Sequence, residues 1–249
     1  LHMRTSRAER VARLVGILAA LAIGTIACHH STPARHPEHQ PPTEDHIPIE
    51  NCLGEGNDER GRDVDGDGDN DLTHVFRGET RVCTAMDMNF DGHVDLVRFY
   101  EDDGTTPRLE LHDFDFDSRI DQVSQYENGE RVRQELDTDF DDHMDLSIRC
   151  EHGVATHVQR DRLHHGHVDT WETYEGGYIH EAKYDEDQNG EPERFEYYRD
   201  GLLVAEALDR NLDNEIQEEE RWVVEAEFSG TAVRLLCDPS LAASAAAAA

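Results

Sequence analysis

The chain has 249 residues, 37% of them hydrophobic, and sets 56 Asp and Glu against 23 Lys and Arg, a formal net charge of −33 at pH 7. That charge repels nucleic acid and anionic lipid headgroups and attracts cations, divalent ones most strongly. So low an apolar content argues against a compact core of ordinary size and calls for metal, repetition or disulfides as a source of stability. Disorder, the usual outcome of such acidity, is opposed by the fixed spacing of the charges.

At the N-terminus, Arg4, Arg7, Arg10 and Arg13 precede an apolar run from Leu14 to Ala27. The run is short for a membrane span and has the layout of a secretory signal. It ends in Thr25-Ile26-Ala27-Cys28. A cysteine in this place resembles the lipobox of bacterial lipoproteins, in which the cysteine is acylated and becomes the first residue of the mature chain. Ala27 fits that pattern; Thr25 stands where the family usually has Leu. The resemblance implies a signal peptide over residues 1–27, a lipid on Cys28 and contact with the membrane through that anchor alone. With His29 rather than Asp next, it further implies placement at the outer membrane or cell surface. Cleavage at the same place without a lipid, giving a periplasmic or secreted protein, is the alternative.

Residues 28–62 read as a tether. Pro33, Pro37, Pro41, Pro42 and Pro48 keep the chain extended. His29, His30, His36, His39 and His46 could bind zinc or copper loosely, but a solvated spacer is the preferred reading, because flexible ligands lose entropy on binding.

From Asp63 the same loop returns at Asp87, Asp113, Asp137, Asp161, Asp185 and Asp209, in steps of 24 residues with a single step of 26. The seven units occupy residues 63–232, and 233–249 form a tail. Each unit begins D-x-D-x-D-G-x-x-D or a variant of it. Unit one offers Asp63, Asp65, Asp67, Asp69 and Asp71. Unit two offers Asp87, Asn89, Asp91, His93 and Asp95. Unit three offers Asp113, Asp115, Asp117, Arg119 and Asp121, and unit four Asp137, Asp139, Asp141, His143 and Asp145. Carboxylates at positions 1, 3, 5 and 9, with the backbone carbonyl of position 7, can converge on one hard cation, and glycine at position 6 allows a sharp turn. An all-oxygen donor set points to calcium, several ions per chain. The competing explanation, Asx turns without metal, leaves three or four crowded carboxylates uncompensated.

The loop resembles those of EF-hands, thrombospondin type 3 repeats and, most closely, the FG-GAP repeats of integrins, where Asp at position 9 closes the site and a strand follows. Unit five has Leu163 and His165 at positions 3 and 5 and is expected to bind no calcium. Its cluster His164, His165 and His167 could take a transition metal, with drift as the preferred account. Unit six (Asp185, Asp187, Asn189) and unit seven (Asp209, Asn211, Asp213) could close with Glu193 at position 9 or with Glu196 and Glu220 at position 12.

Position 14 is Phe76, Tyr100, Tyr126, Cys150, Tyr174, Tyr198 and Trp222, and position 17 is glycine at Gly129, Gly153, Gly177 and Gly201. Asn-Gly, Gly-Gly and Asp-Gly pairs between short runs signal tight hairpins. The expected fold is all-β: an elongated antiparallel meander of about seven loop–hairpin repeats, loosely resembling MORN and YD-type repeats. A β-propeller and an EF-hand- or dockerin-like helical array, the latter supported by residues 215–228, are the alternatives. Cys52–Cys83 is the favoured disulfide. Cys150 takes the place of an aromatic and could simply be packed; a Cys150–Cys237 bond would bring together parts about three units apart, which would argue against an open sheet.

These features predict an exported calcium-binding repeat protein of the cell envelope, structural, adhesive or partner-binding, with a protein or surface as its partner. A calcium buffer or sensor lipoprotein is the alternative. An enzyme is the least favoured reading, since no nucleophile with a base and no phosphate loop is present. Nucleic acid is not expected as a partner.

Overall fold

A computed structural model describes residues 46–52, 58–211, 216–217, 220–223 and 232–237. Cys28, the signal segment and Asp213 lie outside the described residues. Among the described residues, fourteen strands form one antiparallel sheet in which each pairs with the next in sequence. They are β1 (Asp58–Arg62), β2 (Leu72–Arg77), β3 (Thr80–Met86), β4 (Leu96–Tyr100), β5 (Pro107–His112), β6 (Gln122–Glu127), β7 (Glu130–Leu136), β8 (Leu146–Glu151), β9 (Val154–Arg160), β10 (Thr170–Glu175), β11 (Tyr178–Tyr184), β12 (Arg194–Arg199), β13 (Leu202–Leu208) and β14 (Arg221–Val223). This is the expected meander, not a propeller, and the sheet is open. The helical alternative fails where it can be read: residues 221–223 are strand, and most of 215–228 lies outside the described residues.

Every Asp loop falls at one edge of the sheet and every hairpin turn at the other, because loops and turns alternate between strands. The turn residues Asn128–Gly129, His152–Gly153, Gly176–Gly177 and Asp200–Gly201 all have positive φ, as a two-residue hairpin turn following the right-handed strand twist requires. The two extra residues of the long step fall in the loop between β4 and β5. There Asp103 accepts hydrogen bonds from the Thr105 and Thr106 amides, both at 2.8 Å. In each of the six hairpins the register shifts at the position-14 residue, for example between Val75 and Phe76 and between Arg149 and Cys150. The aromatic column therefore lies along a row of bulges.

Two chain segments lie across the sheet. On one face Val75, Cys83, Ala85, Phe99, Leu109, Leu111 and Val123 form a buried apolar cluster with Ile47 and Cys52. Residues 46–52, read from sequence as tether, are thus packed. The Ile47 amide donates to Glu135 at 3.2 Å, Arg108 makes a bidentate ion pair with Glu50, and Cys52 is disulfide-bonded to Cys83. The sheet itself starts at Asp58, before the first loop.

Glu135 holds this segment down. Its side chain is 2% exposed and also pairs with Arg133 at 2.6 Å. Removing one partner leaves the other charge buried and unpaired. Glu135→Ala should therefore lower the unfolding free energy by about 3 kcal/mol in a denaturant titration.

The second segment, 232–237, corrects the expectation about Cys150 and Cys237, which are disulfide-bonded although the sheet is open. The C-terminal chain returns along the row of hairpin turns. The Leu235 amide donates to the Gly177 carbonyl and the Cys237 amide to the Gly153 carbonyl, both at 2.8 Å. Glycine is needed at 177, where a Cβ would stand 2.9 Å from Arg234 and 3.1 Å from the Leu235 carbonyl oxygen. Cys150, Ala155, Val158 and Cys237 form a second buried cluster there.

The face opposite the first cluster carries repeated polar networks. Glu110 accepts from Arg98 Nε and Tyr126 Oη, each at 2.5 Å. Burial pushes the Glu110 carboxyl up, but the hydrogen bonds from Tyr126 and Arg98 outweigh it and hold the carboxyl below its ordinary value. Arg160–Glu172–Tyr174 and Arg194–Glu196–Tyr198 repeat the arrangement.

Candidate metal centre

In each loop the carboxylates first organise the backbone. In unit two, Asp87 accepts from the amides of Phe90 (2.7 Å) and Gly92 (2.8 Å). Asn89 accepts from Asp91, and Asp91 from His93. Asp95 Oδ2 accepts from Met88 (2.6 Å) and Asn89 (3.2 Å). Units one and three repeat this pattern around Asp63–Asp71 and Asp113–Asp121. Unit four does so around Asp137–Asp145. Position 6 takes a positive φ whether it is Gly92, Ser118 or Asp142. Position 4 does so too, at Phe90, Phe116 and Phe140, a strained conformation for a bulky residue that the sequence did not disclose. These phenylalanines are exposed.

The four carboxylate positions are not equivalent. Positions 1 and 9 are buried: Asp71, Asp87, Asp95, Asp113, Asp121, Asp137, Asp145, Asp161, Asp169, Asp185, Glu193 and Asp209. In units one to six only Asp63, which has no preceding unit, is exposed, and position 9 of unit seven, Gln217, is half-buried. Each position-1 amide donates to the carbonyl of the previous position 9, as Asp113 does to Asp95 and Asp161 to Asp145. The buried acids thus form a continuous ladder along the loop edge. Positions 3 and 5, namely Asp65, Asp67, Asn89, Asp91, Asp115, Asp117, Asp139 and Asp141, stand on its solvent side.

Several of these clusters could hold a metal ion. Ligand atoms of Asp63, Asp65 and Asp71 lie within 4.8 Å of one another. The same holds for Asp113, Asp115 and Asp121, and for Asp137, Asp139 and Asp141. The crowding is visible electrostatically. Burial, then the charges of Asp113 and Asp137, push the Asp121 carboxyl up against the opposing pull of the Phe114 and Asp115 amides. Burial and neighbouring aspartates likewise raise Asp115 and Asp139. In unit two, the buried Asp95 keeps Oδ1 without any hydrogen-bond partner.

At position 7 the side chains of His93 and His143 lie 3.1 Å from Asp91 and Asp141, and Arg119 pairs with Asp117 and with Asp142 of the next loop. His164 reaches back from unit five to Asp139 (3.1 Å) and Asp145 (3.2 Å) of unit four. This cross-unit approach was not readable from sequence, because it depends on the stacking of neighbouring loops.

Unit six closes through Glu193, whose carboxylate accepts from the Glu186 amide (2.8 Å) and Asn189 Nδ2 (3.2 Å). The loop also includes Asp187. Burial, followed by the nearby Asp187 and Asp185, raises the Glu193 carboxyl despite the Glu186 amide. Glu196, expected as a possible ligand, is elsewhere. A strand follows the loop, and position 12 lies on the sheet face bonded to Arg194, Tyr184 and Tyr198. Unit seven differs: Glu220 at position 12 is buried and accepts from the Arg210 and Gln217 amides, both at 3.1 Å, while Asn211 donates to Gln217.

No family model matches the chain, and no curated protein matches it. Among solved structures, it is similar to a chain from the crystal structure of accessory secretory protein 1, 2 and 3 in Streptococcus pneumoniae. The identity is 12% and the TM-score 0.33, over 47% of this chain and 20% of that one. The match therefore spans only about a fifth of the other chain's length.

Proposed function

We propose that this is an exported calcium-binding repeat protein whose ions staple the loop edge of a single-layer sheet and rigidify a display surface of the cell envelope. The buried, unpartnered Asp95 Oδ1 carries the reading. A buried anionic oxygen without a donor is costly, and a cation among Asp87, Asn89, Asp91 and Asp95 would satisfy it. The loops of units one to four themselves supply only oxygen donors, with three or four carboxylates each, which favours calcium over zinc, copper or the more strictly octahedral magnesium, although His164 of the next loop also approaches unit four. Because positions 1 and 9 also build the backbone ladder, occupancy stabilises the fold itself, which suits structural sites better than a sensor. Export, with lipid attached at Cys28, rests on the signal-like N-terminus, and the two disulfides are in keeping with an oxidising compartment.

The test is a calcium count. Asp95→Asn keeps an oxygen for the Met88 and Asn89 amides but removes the charge. Equilibrium dialysis of the full chain should show one calcium fewer in the variant than in the wild type. Equal counts, or no bound calcium in either, would sink the proposal.

A further inference from the structure

Unit five departs from the oxygen pattern at Leu163 and His165, yet its loop keeps the backbone of the others. His164 and Gly166 have φ of 52° and 87°, against 62° and 86° at Phe90 and Gly92. Asp161 accepts from the His165 (3.0 Å) and Gly166 (2.6 Å) amides, and Asp169 from the Leu163 amide (3.0 Å). The loop has changed its donors without losing its shape.

His165 turns inward between these acids. Its side chain is 19% exposed, whereas Asp91, Asp117 and Asp141 at the same position are 42%, 41% and 47% exposed. Nδ1 lies 3.2 Å from Asp161 Oδ1 and Nε2 4.0 Å from Asp169 Oδ2. Both ring nitrogens are nevertheless buried and neither makes a hydrogen bond. An imidazolium serving as a built-in cation would hold aligned, charge-assisted hydrogen bonds to these carboxylates. His167 also stacks on the ring, with centroids 3.8 Å apart and planes at 14°. A neutral imidazole nitrogen is a metal ligand.

Two carboxylates and one imidazole nitrogen, all within 4.8 Å, make a mixed donor set. Nitrogen shifts preference from calcium to borderline transition ions, and Leu163 removes the third carboxylate that a high-coordination oxygen site needs. We propose that Asp161, His165 and Asp169 bind a single divalent transition ion, zinc foremost. This rests on the donors of one loop and stands or falls separately from the calcium reading.

Cobalt(II) is the probe, titrated into the full chain without an affinity tag, in excess calcium. Visible absorption and dialysis report binding, and zinc is added as competitor. His165→Ala should lose one equivalent of cobalt and its absorption, while any cobalt on His29, His30, His36, His39 and His46 remains. His165→Asp, which restores an acidic position 5, should lose the same equivalent even if the alanine variant folds poorly. Zinc should displace the ion, and calcium should not. Cobalt stoichiometry and spectra that are the same in wild type and His165→Asp would overturn the proposal.

Discussion

Calcium at about 10 mM should raise the unfolding midpoint of the full chain by about 12–24 °C over chelator, while equimolar magnesium should raise it by only a few degrees. External loops of this kind bind with Kd of about 10⁻⁴ to 10⁻³ M, so each occupied site adds about 1.4 kcal/mol at ten times Kd. Four such loops, if filled, would contribute about 6 kcal/mol, and a chain of this size shifts by about 2–4 °C per kcal/mol. The physical source is the ladder of buried acids. Without a cation, burial and the charges of neighbouring aspartates push up the carboxyls of Asp121 in the ladder and of Asp115 and Asp139 on its solvent side. Because each position-1 amide bonds to the previous unit's position 9, stabilising one loop also supports its neighbour. No shift with calcium over chelator, measured by calorimetry or circular dichroism, would mean that the loops are Asx turns and nothing more, and equal shifts with calcium and magnesium would overturn the choice of calcium.

Removal of Cys150–Cys237 has the second large effect. The bond spans 87 residues, and the chain-entropy argument assigns closure of that length about 4–5 kcal/mol. Cys150→Ala with Cys237→Ala should lose that much stability and release the segment that runs along the turns of Gly153, Gly177 and Gly201. Hydrogen exchange should then show β11–β13 opening before β2–β7, which the Cys52–Cys83 segment still covers. An unchanged midpoint, or opening that spreads evenly along the sheet, would show that the C-terminal return has no clamping role.

Much of the fold was legible because the repeat is nearly exact. A period of 24 with glycine at position 17 allows two short strands and a tight turn, and Gly129, Gly153, Gly177 and Gly201 lie where that reading places them. The Asp positions located the loops for the same reason: a nine-residue loop is a local structure, and its carboxylates act on amides two to seven residues away. Contacts between units were not legible. Glu196 and Glu220 both occupy position 12 in EF-hand-like spacing, but one lies on the sheet face and the other closes its loop.

The sequence by itself determined the local units: the Asp loops, the hairpins, their number and their order, each fixed by short-range hydrogen bonding and turn chemistry. Only the tertiary structure decided which acids are buried. Positions 1 and 9 enter the backbone ladder between adjacent units, while positions 3 and 5 do not. It also decided that an open sheet can hold Cys150–Cys237, because the end of the chain turns back along the hairpins. And it brought the His165 ring between the buried Asp161 and Asp169, a grouping within 4.8 Å that the spacing of unit five did not disclose.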